Sequence, residues 1–275
     1  MKIVNTTNSK AGKLEDRSIS RLYGYILGFV PIIAFVILWQ IVSDAELIRS
    51  SILPPPYEVF LEAIKLLKSG LLVNNIKISM VRILTGLFIS IAVAVPLGFL
   101  LGGWFKRLET ALNPLFLTFS QANPFTLFPL FIVLLGLGES SKVAMIILVA
   151  VWPILFNTIS GIRNIDPELV KVSRTFGFSK TQLFARVMLP AALPSVLSGI
   201  RVAVIISFFV LIGAEMIGGS SGLGYMIFNA CPLHSTHELN KMWAGIVTVA
   251  LLGVLLNWIT YAIEKRFSFW KHEVN

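Results

Sequence analysis

Four side chains that could bind a metal ion occur close together in the sequence, near the C-terminal end of the chain. Cys231, His234, His237 and Glu238 offer sulfur, imidazole and carboxylate groups, which are good ligands for transition metals. Their spacing matches no common zinc signature, so we interpret the segment as an ordinary loop and expect no bound metal. The chain has a single cysteine, which excludes an intramolecular disulfide.

Two glycine-containing segments could be mistaken for phosphate-binding loops. Residues 177–181 end in Lys-Thr, but the Gly-Lys pair and the upstream glycine of a phosphate loop are absent. Residues 218–224 are rich in glycine, yet they follow an apolar helical stretch and not a strand. The sequence also contains no His-Glu-x-x-His motif and no serine elbow at a strand-to-helix turn. We therefore expect no catalytic residue in this chain.

The amino-acid composition is typical of a membrane protein. Its 275 residues are 56% hydrophobic and only 13% charged, with a mean hydropathy of +0.82. A soluble domain has roughly 25% charged residues. The net charge of +9 raises the possibility of nucleic-acid binding, but the basic residues are scattered in short segments between apolar runs. The sequence therefore predicts an all-α membrane protein and no nucleic-acid partner.

Six stretches approach the ~20 residues needed to cross a hydrocarbon core of ~30 Å. They are residues 22–42, 83–101, 111–135, 143–162, 194–217 and 243–263. The first is too long for a typical signal-peptide core and lacks a clear cleavage site, so we predict a retained helix. The sequence thus predicts a bundle of six transmembrane helices.

The third stretch contains several prolines and two amides. Pro114, Pro124 and Pro129 interrupt it, and Gln121 and Asn123 flank the point where we expect it to break into two half-helices. Broken helices at membrane depth occur where they face protein or a water-filled path. Gln121 and Asn123 are therefore candidates for a translocation path, with a single kinked helix buried in the bundle as the alternative.

The distribution of lysine and arginine predicts that both termini lie in the cytoplasm. Basic residues are about twice as frequent on the side that carries the termini and the 163–190 segment. An amphipathic helix at 57–69 is expected to lie along the outer membrane surface. The expected segments are a tail 1–21, a first span 22–42, an outer segment 43–82, a core 83–263 containing a cytoplasmic insert 163–190, and a tail 264–275.

The insert at 163–190 has the signals of two short helices. Asp166 is a side-chain acceptor at a helix start, and Glu168 follows at the positive end of the dipole. Gly177 is a C-terminal stop. Ser179 then opens a second helix, with Gln182 three residues later as a capping box. We expect this second helix to run until Pro190.

Bulky and basic side chains make the insert a candidate docking element. Phe176, Phe178 and Phe184 are able to fill a groove on a partner, with basic residues contacting its rim. The alternative is that these phenylalanines pack back on the helix ends of their own chain.

The insert resembles the EAA loop of ATP-binding-cassette importer permeases. Gly177, Val187, Leu189 and Pro190 fall at the spacing of that motif. The leading triplet departs from it, because Lys-Val-Ser at 171–173 replaces Glu-Ala-Ala. Any salt bridge that the family makes from the missing glutamate must therefore be absent or reversed here, although nearby acids offer negative charge.

The resemblance extends over most of the chain from about residue 53. It is similar to the nitrate, sulfonate and taurine branch of these permeases in Leu-Pro-Pro-Pro at 53–56, Pro-Leu-Phe at 129–131, Gly-Leu-Gly-Glu-Ser-Ser-Lys at 136–142, Ala-Glu-Met-Ile at 214–217, Ser-Gly-Leu-Gly-Tyr at 221–225 and Phe-Ser-Phe-Trp at 267–270.

This resemblance implies a type I importer permease bundle in a bacterial inner membrane. The implied partners are a second copy of the chain, two cytoplasmic ATPase subunits that hold ATP and Mg, and an extracytoplasmic binding protein. The cargo is then a small anion such as an aliphatic sulfonate, taurine or nitrate, with a thiamine-pyrimidine precursor or another small nutrient as the alternative. The expected ATPase-coupling residues are Glu168, Lys171, Arg174, Thr175, Phe176, Gly177, Phe178, Ser179, Phe184 and Pro190.

Three charged residues within or beside the spans need an explanation. Glu215 either lines the path, with a gating or structural role, or is solvated at the helix end. Arg82 and Arg201 either give the path positive charge, or pair with acids and reach an interface.

Two other classes of membrane protein remain as alternatives. A membrane-embedded enzyme should show convergent carboxylates or histidines at membrane depth, and the sequence has almost none. A passive channel should not need a capped cytoplasmic helix pair.

Overall fold

The computed structural model describes residues 30–45, 47–48, 52–231 and 238–267, and every regular element in these ranges is helical. The helices are α1 Val30–Asp44, α2 Pro56–Lys68, α3 Leu71–Phe99, α4 Lys106–Ser120, α5 Pro124–Leu135, α6 Glu139–Arg163, α7 Pro167–Thr175, α8 Lys180–Leu183, α9 Leu189–Gly218, α10 Leu223–Asn229 and α11 Leu239–Phe267.

The chain divides into two compact units, Met1–Glu62 and Ala63–Asn275. In the first unit, two hydrogen bonds tie the proline-rich turn to α1. Trp39 donates from Nε1 to the carbonyl of Pro54 at 3.1 Å, and the Ser43 hydroxyl donates to the carbonyl of Leu53, also at 3.1 Å. The start of the expected first span, residues 22–29, lies outside the described residues.

The second unit is built on α3, α6 and α9. Ile83, Ile146 and Leu211, one from each of these helices, are almost completely buried in one core. Glycines let the helices approach closely. A Cβ at Gly98 of α3 would lie 2.6 Å from the Thr158 side chain of α6. This close approach is typical of membrane helix pairs, which associate through small residues.

The spans agree only partly with the sequence prediction. The stretches Leu71–Trp104, Glu139–Arg163, Lys180–Gly218 and Leu239–Phe267 are long and apolar enough to cross a membrane. The third expected span is two helices, α4 and α5, bent by 90° at residues 121–123, so the break is confirmed. The described part of α1 is shorter than a full span. The total of six spans therefore stays a prediction.

Two helices have other bounds than expected. The helix α3 starts at Leu71 and not near residue 83, and Ser79 and Arg82, which precede the expected start, are paired with Glu215 inside the bundle. The second helix of the insert does not end at Pro190. It continues through a π-helical turn, Phe184–Met188, into α9.

The π-helical turn explains why Pro190 does not break the helix. The amide of Leu189 donates to the carbonyl of Phe184, five residues back. Pro190 follows within the first turn of α9, where a missing N–H is tolerated. The prediction of a separate short helix that runs only to Pro190 was therefore wrong.

Large apolar side chains cover the outside of this unit. Phe88, Val133 and Val254 are 74%, 82% and 69% exposed. Exposure on this scale suits a surface that faces lipid or another subunit.

Candidate functional site

The insert between α6 and α9 begins at a well-formed helix cap. The Asp166 carboxylate accepts a hydrogen bond from the backbone N–H of Glu168 at 2.8 Å, and Pro167 occupies the first turn of α7. The cap prediction is confirmed. It fixes the start of α7 directly after the end of a membrane-crossing helix.

The α7 helix ends in a left-handed glycine. Gly177 has φ of +75°, its N–H donates to the carbonyl of Arg174 at 3.0 Å, and the N–H of Phe178 donates to that of Ser173 at 3.2 Å. This pair of bonds is a Schellman motif. The predicted glycine stop is confirmed, and the serine of the unusual Lys-Val-Ser triplet supplies one of the two acceptors.

A reciprocal cap opens the next helix. The Gln182 N–H donates to the Ser179 hydroxyl at 3.3 Å, and the Ser179 N–H donates to Oε1 of Gln182 at 2.9 Å. The predicted capping box is confirmed. Only residues 176–179 separate α7 from α8, so the two caps define a short corner between these helices.

The three phenylalanines of the insert differ in their surroundings. Phe176 is 77% exposed, while Phe178 is half-buried. Phe184 is also half-buried and packs against Phe99 and Trp104, with ring centroids 5.1 and 5.5 Å away. Phe184 therefore packs on its own chain, and Phe176 is the phenylalanine left open to a partner.

The remaining expected coupling residues lie on the surface of the insert, except Pro190 in α9. The exposed members are Glu168, Lys171, Arg174, Thr175, Gly177 and Ser179, and Pro190 is half-buried.

A cavity of about 480 Å³ opens at the break between α4 and α5. Gln121 and Asn123 both line it, together with the aromatic side chains of Phe125, Trp152 and Phe209. Of the four expected path residues, the structure brings these two together. Arg201 and Glu215 are not in its lining.

Asn123 also holds the half-helix α5 in place. Its Oδ1 accepts a hydrogen bond from the N–H of Phe125 at 2.9 Å, and Pro124 follows as the first helical residue. The start of α5 is therefore a capped helix N-terminus at the wall of the cavity.

One residue of the cavity lining, Trp152, carries a hydrogen-bond donor that is not used. The indole Nε1 of Trp152 is buried and finds no hydrogen-bond partner within the described part of the chain. Its ring is held by neighbouring aromatic rings of Phe116 and Phe156, with centroids 6.1 and 6.2 Å away. A buried N–H without a partner is costly unless a ligand or water accepts from it.

Arg201 is paired away from the cavity. Its guanidinium donates to Asn257 at 3.1 Å and to Glu264 at 3.2 Å, and it lies 4.9 Å from the ring centroid of Tyr261. These contacts link α9 to α11.

Glu215 is completely buried, so the alternative of a solvated carboxylate at the helix end was wrong. The carboxylate accepts hydrogen bonds from the Ser79 hydroxyl at 2.8 Å, from Nη1 of Arg82 at 2.6 Å and from the N–H of Gly224 at 2.9 Å. A buried carboxylate with this many donors is satisfied without water.

Arg82 is the centre of this network. It is 2% exposed, forms a bidentate pair with Glu139 at the start of α6, and donates to both the carbonyl and the hydroxyl of Ser221 at 2.9 Å. Lys142, also buried, lies 3.8 Å from Glu139. We call the set Ser79, Arg82, Glu139, Lys142, Glu215 and Ser221 the charge network.

Asn75 and the charge network also hold the glycine-rich segment after α9. The N–H of Gly222 donates to Asn75 at 2.9 Å, and the N–H of Leu223 donates to Ser79 at 3.1 Å. The φ of Gly222 is +105°, and a Cβ there would collide with the Glu215 carboxylate. The sequence reasoning missed Asn75, Ser79 and Glu139. The signal was present, since residues 75, 79 and 82 lie on one face of an apolar helix.

The cluster near the C-terminus remains outside this site. His234 and His237 lie outside the described residues. Glu238 pairs with Lys241 at 2.9 Å, and Cys231 is half-buried. Among the residues that the structure describes, no group of three potential metal ligands comes together.

The bundle, the capped insert and the broken span together define a multi-pass membrane permease. Residues 94–269 match the family model described as binding-protein-dependent transport system inner membrane component, and the chain belongs to this family. Its members are transport permeases of ATP-binding-cassette importers and not enzymes. The matched relatives place the chain in the sulfonate, taurine and nitrate branch.

Two relatives and one solved structure show the extent of the likeness. The chain is 33% identical to a putative aliphatic sulfonates transport permease protein of Bacillus subtilis, covering 97% of this chain and 94% of that protein. It is 27% identical to the taurine transport system permease protein of Escherichia coli, covering 86% of each. A chain in an inward-facing structure of the MetNI methionine ABC transporter shares the fold, with a TM-score of 0.62 and 17% identity over 73% of this chain and 97% of that one.

Proposed function

We propose that this chain is the membrane-spanning subunit of an ATP-driven importer and works as a homodimer with both termini in the cytoplasm. Two cytoplasmic ATPase subunits, which hold ATP and Mg²⁺, dock on the insert. An extracytoplasmic binding protein delivers the cargo to the opposite side. The observation that carries this proposal is the insert segment 166–182. Both of its helices begin at a side-chain cap, and Phe176 between them is exposed at the end of a membrane bundle.

The helix connection supplies the route for coupling. The α8 helix runs through the π-helical turn into α9 without a break, so a push on the insert moves α9 directly. The far end of α9 carries Glu215 of the charge network. ATP binding brings the ATPases together, and the insert transmits that motion to the outer end, where access changes from inside to outside. Hydrolysis restores the inward-facing state.

The cavity at the broken span is the proposed translocation path. Its lining includes the hydroxyl of Ser120, the neutral amides of Gln121 and Asn123, and Trp152, whose buried indole N–H has no partner among the described residues. Such donors hydrogen-bond the oxygens of a small anion without trapping it by charge. The cargo we favour is an aliphatic sulfonate, taurine or nitrate, with a thiamine-pyrimidine precursor or another small nutrient as the alternative.

The other two candidate path residues have a different role in this proposal. Arg201 and Glu215 are each engaged by partners on other elements. We assign both to positioning the helices around the path and not to contact with the cargo. A buried glutamate at the outer end also avoids repelling an anion on its way in.

The deciding experiment is purification of the chain with its partner subunits. An importer requires an ATPase chain to co-purify, and its ATP turnover in proteoliposomes should rise when a loaded binding protein is added. Loading that protein in turn with taurine, ethanesulfonate, nitrate or a thiamine-pyrimidine precursor identifies the cargo. Uptake by the purified chain alone, without ATP, would show a passive channel instead.

A further inference from the structure

A second cavity lies at the opposite end of the bundle from the charge network. It has a volume of about 500 Å³ and is formed where α3 and α6 end and α8 begins. Five basic residues from four elements converge on it: Lys106, Arg163, Lys171, Arg174 and Lys180. We call it the basic cavity.

The positive charge in the basic cavity is largely unbalanced. Arg163 pairs with the buried Glu109. The other four cations form no ion pair with any residue in the described ranges 30–45, 47–48, 52–231 and 238–267. Like charges around one concave surface repel one another and raise the local concentration of anions. The basic cavity therefore favours an anionic occupant.

The basic cavity also has apolar lining residues. Ile162, Val170, Leu183 and Met188 contribute to the lining, and so does Trp104, which is 55% exposed. An exposed tryptophan at the end of a membrane-crossing helix is typical of the interface between lipid and water. The basic cavity combines cationic and apolar surfaces, and a position at headgroup level agrees with this mixture. A free phosphate ion would use only the cations, whereas a phospholipid would use both.

We propose that the basic cavity binds the headgroup of an anionic phospholipid of the inner leaflet. The lysine and arginine side chains contact the phosphate, and the first part of the acyl chains packs beside Trp104. This inference goes beyond the proposed function and rests on it only in placing this end of the bundle in the cytoplasm.

A lipid headgroup in the basic cavity would contact the insert directly. Lys171 and Arg174 belong to α7, whereas Lys106 begins α4. A phosphate between them joins the insert to the end of the membrane bundle by charge. The lipid is therefore placed to hold α7 against the bundle while α7 is engaged by a partner.

The test measures lipid binding to the full chain, purified with any subunits that accompany it, by native mass spectrometry. The probes are phosphatidylglycerol, phosphatidylcholine with the same acyl chains, and inorganic phosphate. The variant is Lys106→Ala with Lys180→Ala, because neither residue is among the proposed coupling residues. The matched control is Lys265→Ala with Arg266→Ala, which removes two exposed cations from the last turn of α11, outside the cavity.

The expected result is tighter binding of phosphatidylglycerol than of phosphatidylcholine. The cavity variant should bind phosphatidylglycerol roughly 25-fold more weakly, from about a fivefold loss for each of the two cations, and the control should change little. Lys106→Gln with Lys180→Gln should repeat the loss if the alanine variant folds poorly.

Three outcomes overturn the proposal. Equal affinity for the two lipids would show that headgroup charge does not determine binding. Equal losses of affinity in the cavity variant and the α11 control would show that binding depends on the overall charge of the protein and not on the basic cavity. Competition by inorganic phosphate alone, lost in the cavity variant, assigns the cavity to a soluble anion. Co-purification of an ATPase is scored separately, so a failure of the importer assignment is not confused with a failure of lipid binding.

Discussion

Nη1 of Arg82 in α3 donates to Oε1 of Glu215 in α9 at 2.6 Å, and both side chains are buried. This contact joins residues 133 positions apart in the sequence. Through the same guanidinium it also reaches Glu139 of α6. The three helices that form the core are therefore tied together at one end by a single arginine.

Removing Arg82 should destabilise the protein strongly. Arg82→Ala leaves Glu215 buried without its cation, and breaking a buried pair in this way costs about 3–5 kcal/mol. We expect a much lower melting temperature in detergent and a low yield from membranes. Lys241→Ala, which breaks the partly exposed pair with Glu238, is the matched control and should cost about 1 kcal/mol or less. Similar melting temperatures for the two variants would contradict a structural role for the network.

We expect Gly177 to be required because of its left-handed backbone conformation, and not because a larger side chain would collide with neighbouring atoms. Its φ is +75°, and a Cβ there would meet nothing within 4 Å. Gly177→Val therefore costs about 1–2 kcal/mol of local strain and should shift the corner between α7 and α8. We expect the variant to insert into membranes but to lose ATP turnover stimulated by the binding protein. Gly177→Asn tolerates the left-handed region better and should retain more activity. Full coupling in the valine variant would count against the assignment of the insert.

Alanine variants of Phe176 and Phe184 should distinguish loss of ATPase docking from loss of packing within the chain. Phe176→Ala removes an exposed side chain, so the melting temperature should stay unchanged while co-purification of the ATPase weakens by tenfold or more, as expected for a loss of about 2 kcal/mol at an anchor residue. Phe184→Ala removes the contacts with Phe99 and Trp104 and should lower the melting temperature. If Phe176→Ala lowers stability as much as Phe184→Ala and leaves the ATPase bound, Phe176 is not a docking residue.

The indole N–H of Trp152 should contribute to cargo passage. Trp152→Phe keeps an aromatic ring between Phe116 and Phe156 but removes the donor that has no partner in the part of the chain described. Loss of one hydrogen bond predicts a rise of roughly three- to tenfold in the KM for transport, measured with the loaded binding protein in proteoliposomes. Trp258→Phe, on the exposed face of α11, is the control and should leave the KM unchanged. An unchanged KM in Trp152→Phe would remove this N–H from the path.

The single cysteine offers a direct test of orientation. The predicted topology places Cys231 on the outer side and Ser179 in the cytoplasm. A membrane-impermeant maleimide should therefore label Cys231 in intact spheroplasts. In a Cys231→Ser background, Ser179→Cys should be labelled only after the membrane is permeabilised. The reverse pattern would invert the topology and place the insert where no cytoplasmic ATPase reaches it.

The amino-acid sequence by itself determined the features that depend on neighbouring residues. Hydropathy identified a membrane bundle, Pro124 beside Asn123 predicted the break that the structure shows at 90°, and the signals at Asp166, Gly177 and Ser179 predicted the caps that formed. Each of these signals acts within about one helical turn. It can therefore be recognised from neighbouring residues alone, without knowledge of the tertiary structure.

Only the tertiary structure decided what the charged and aromatic side chains contact. Glu215 is buried against Arg82 and Ser79, Phe184 packs on Phe99, and the first turns of α3 are helical although their polar residues appeared to belong outside the membrane. These outcomes depend on which helices approach one another closely. That approach is set by side-chain volume and by glycines on several helices at once, and no local stretch of sequence specifies it.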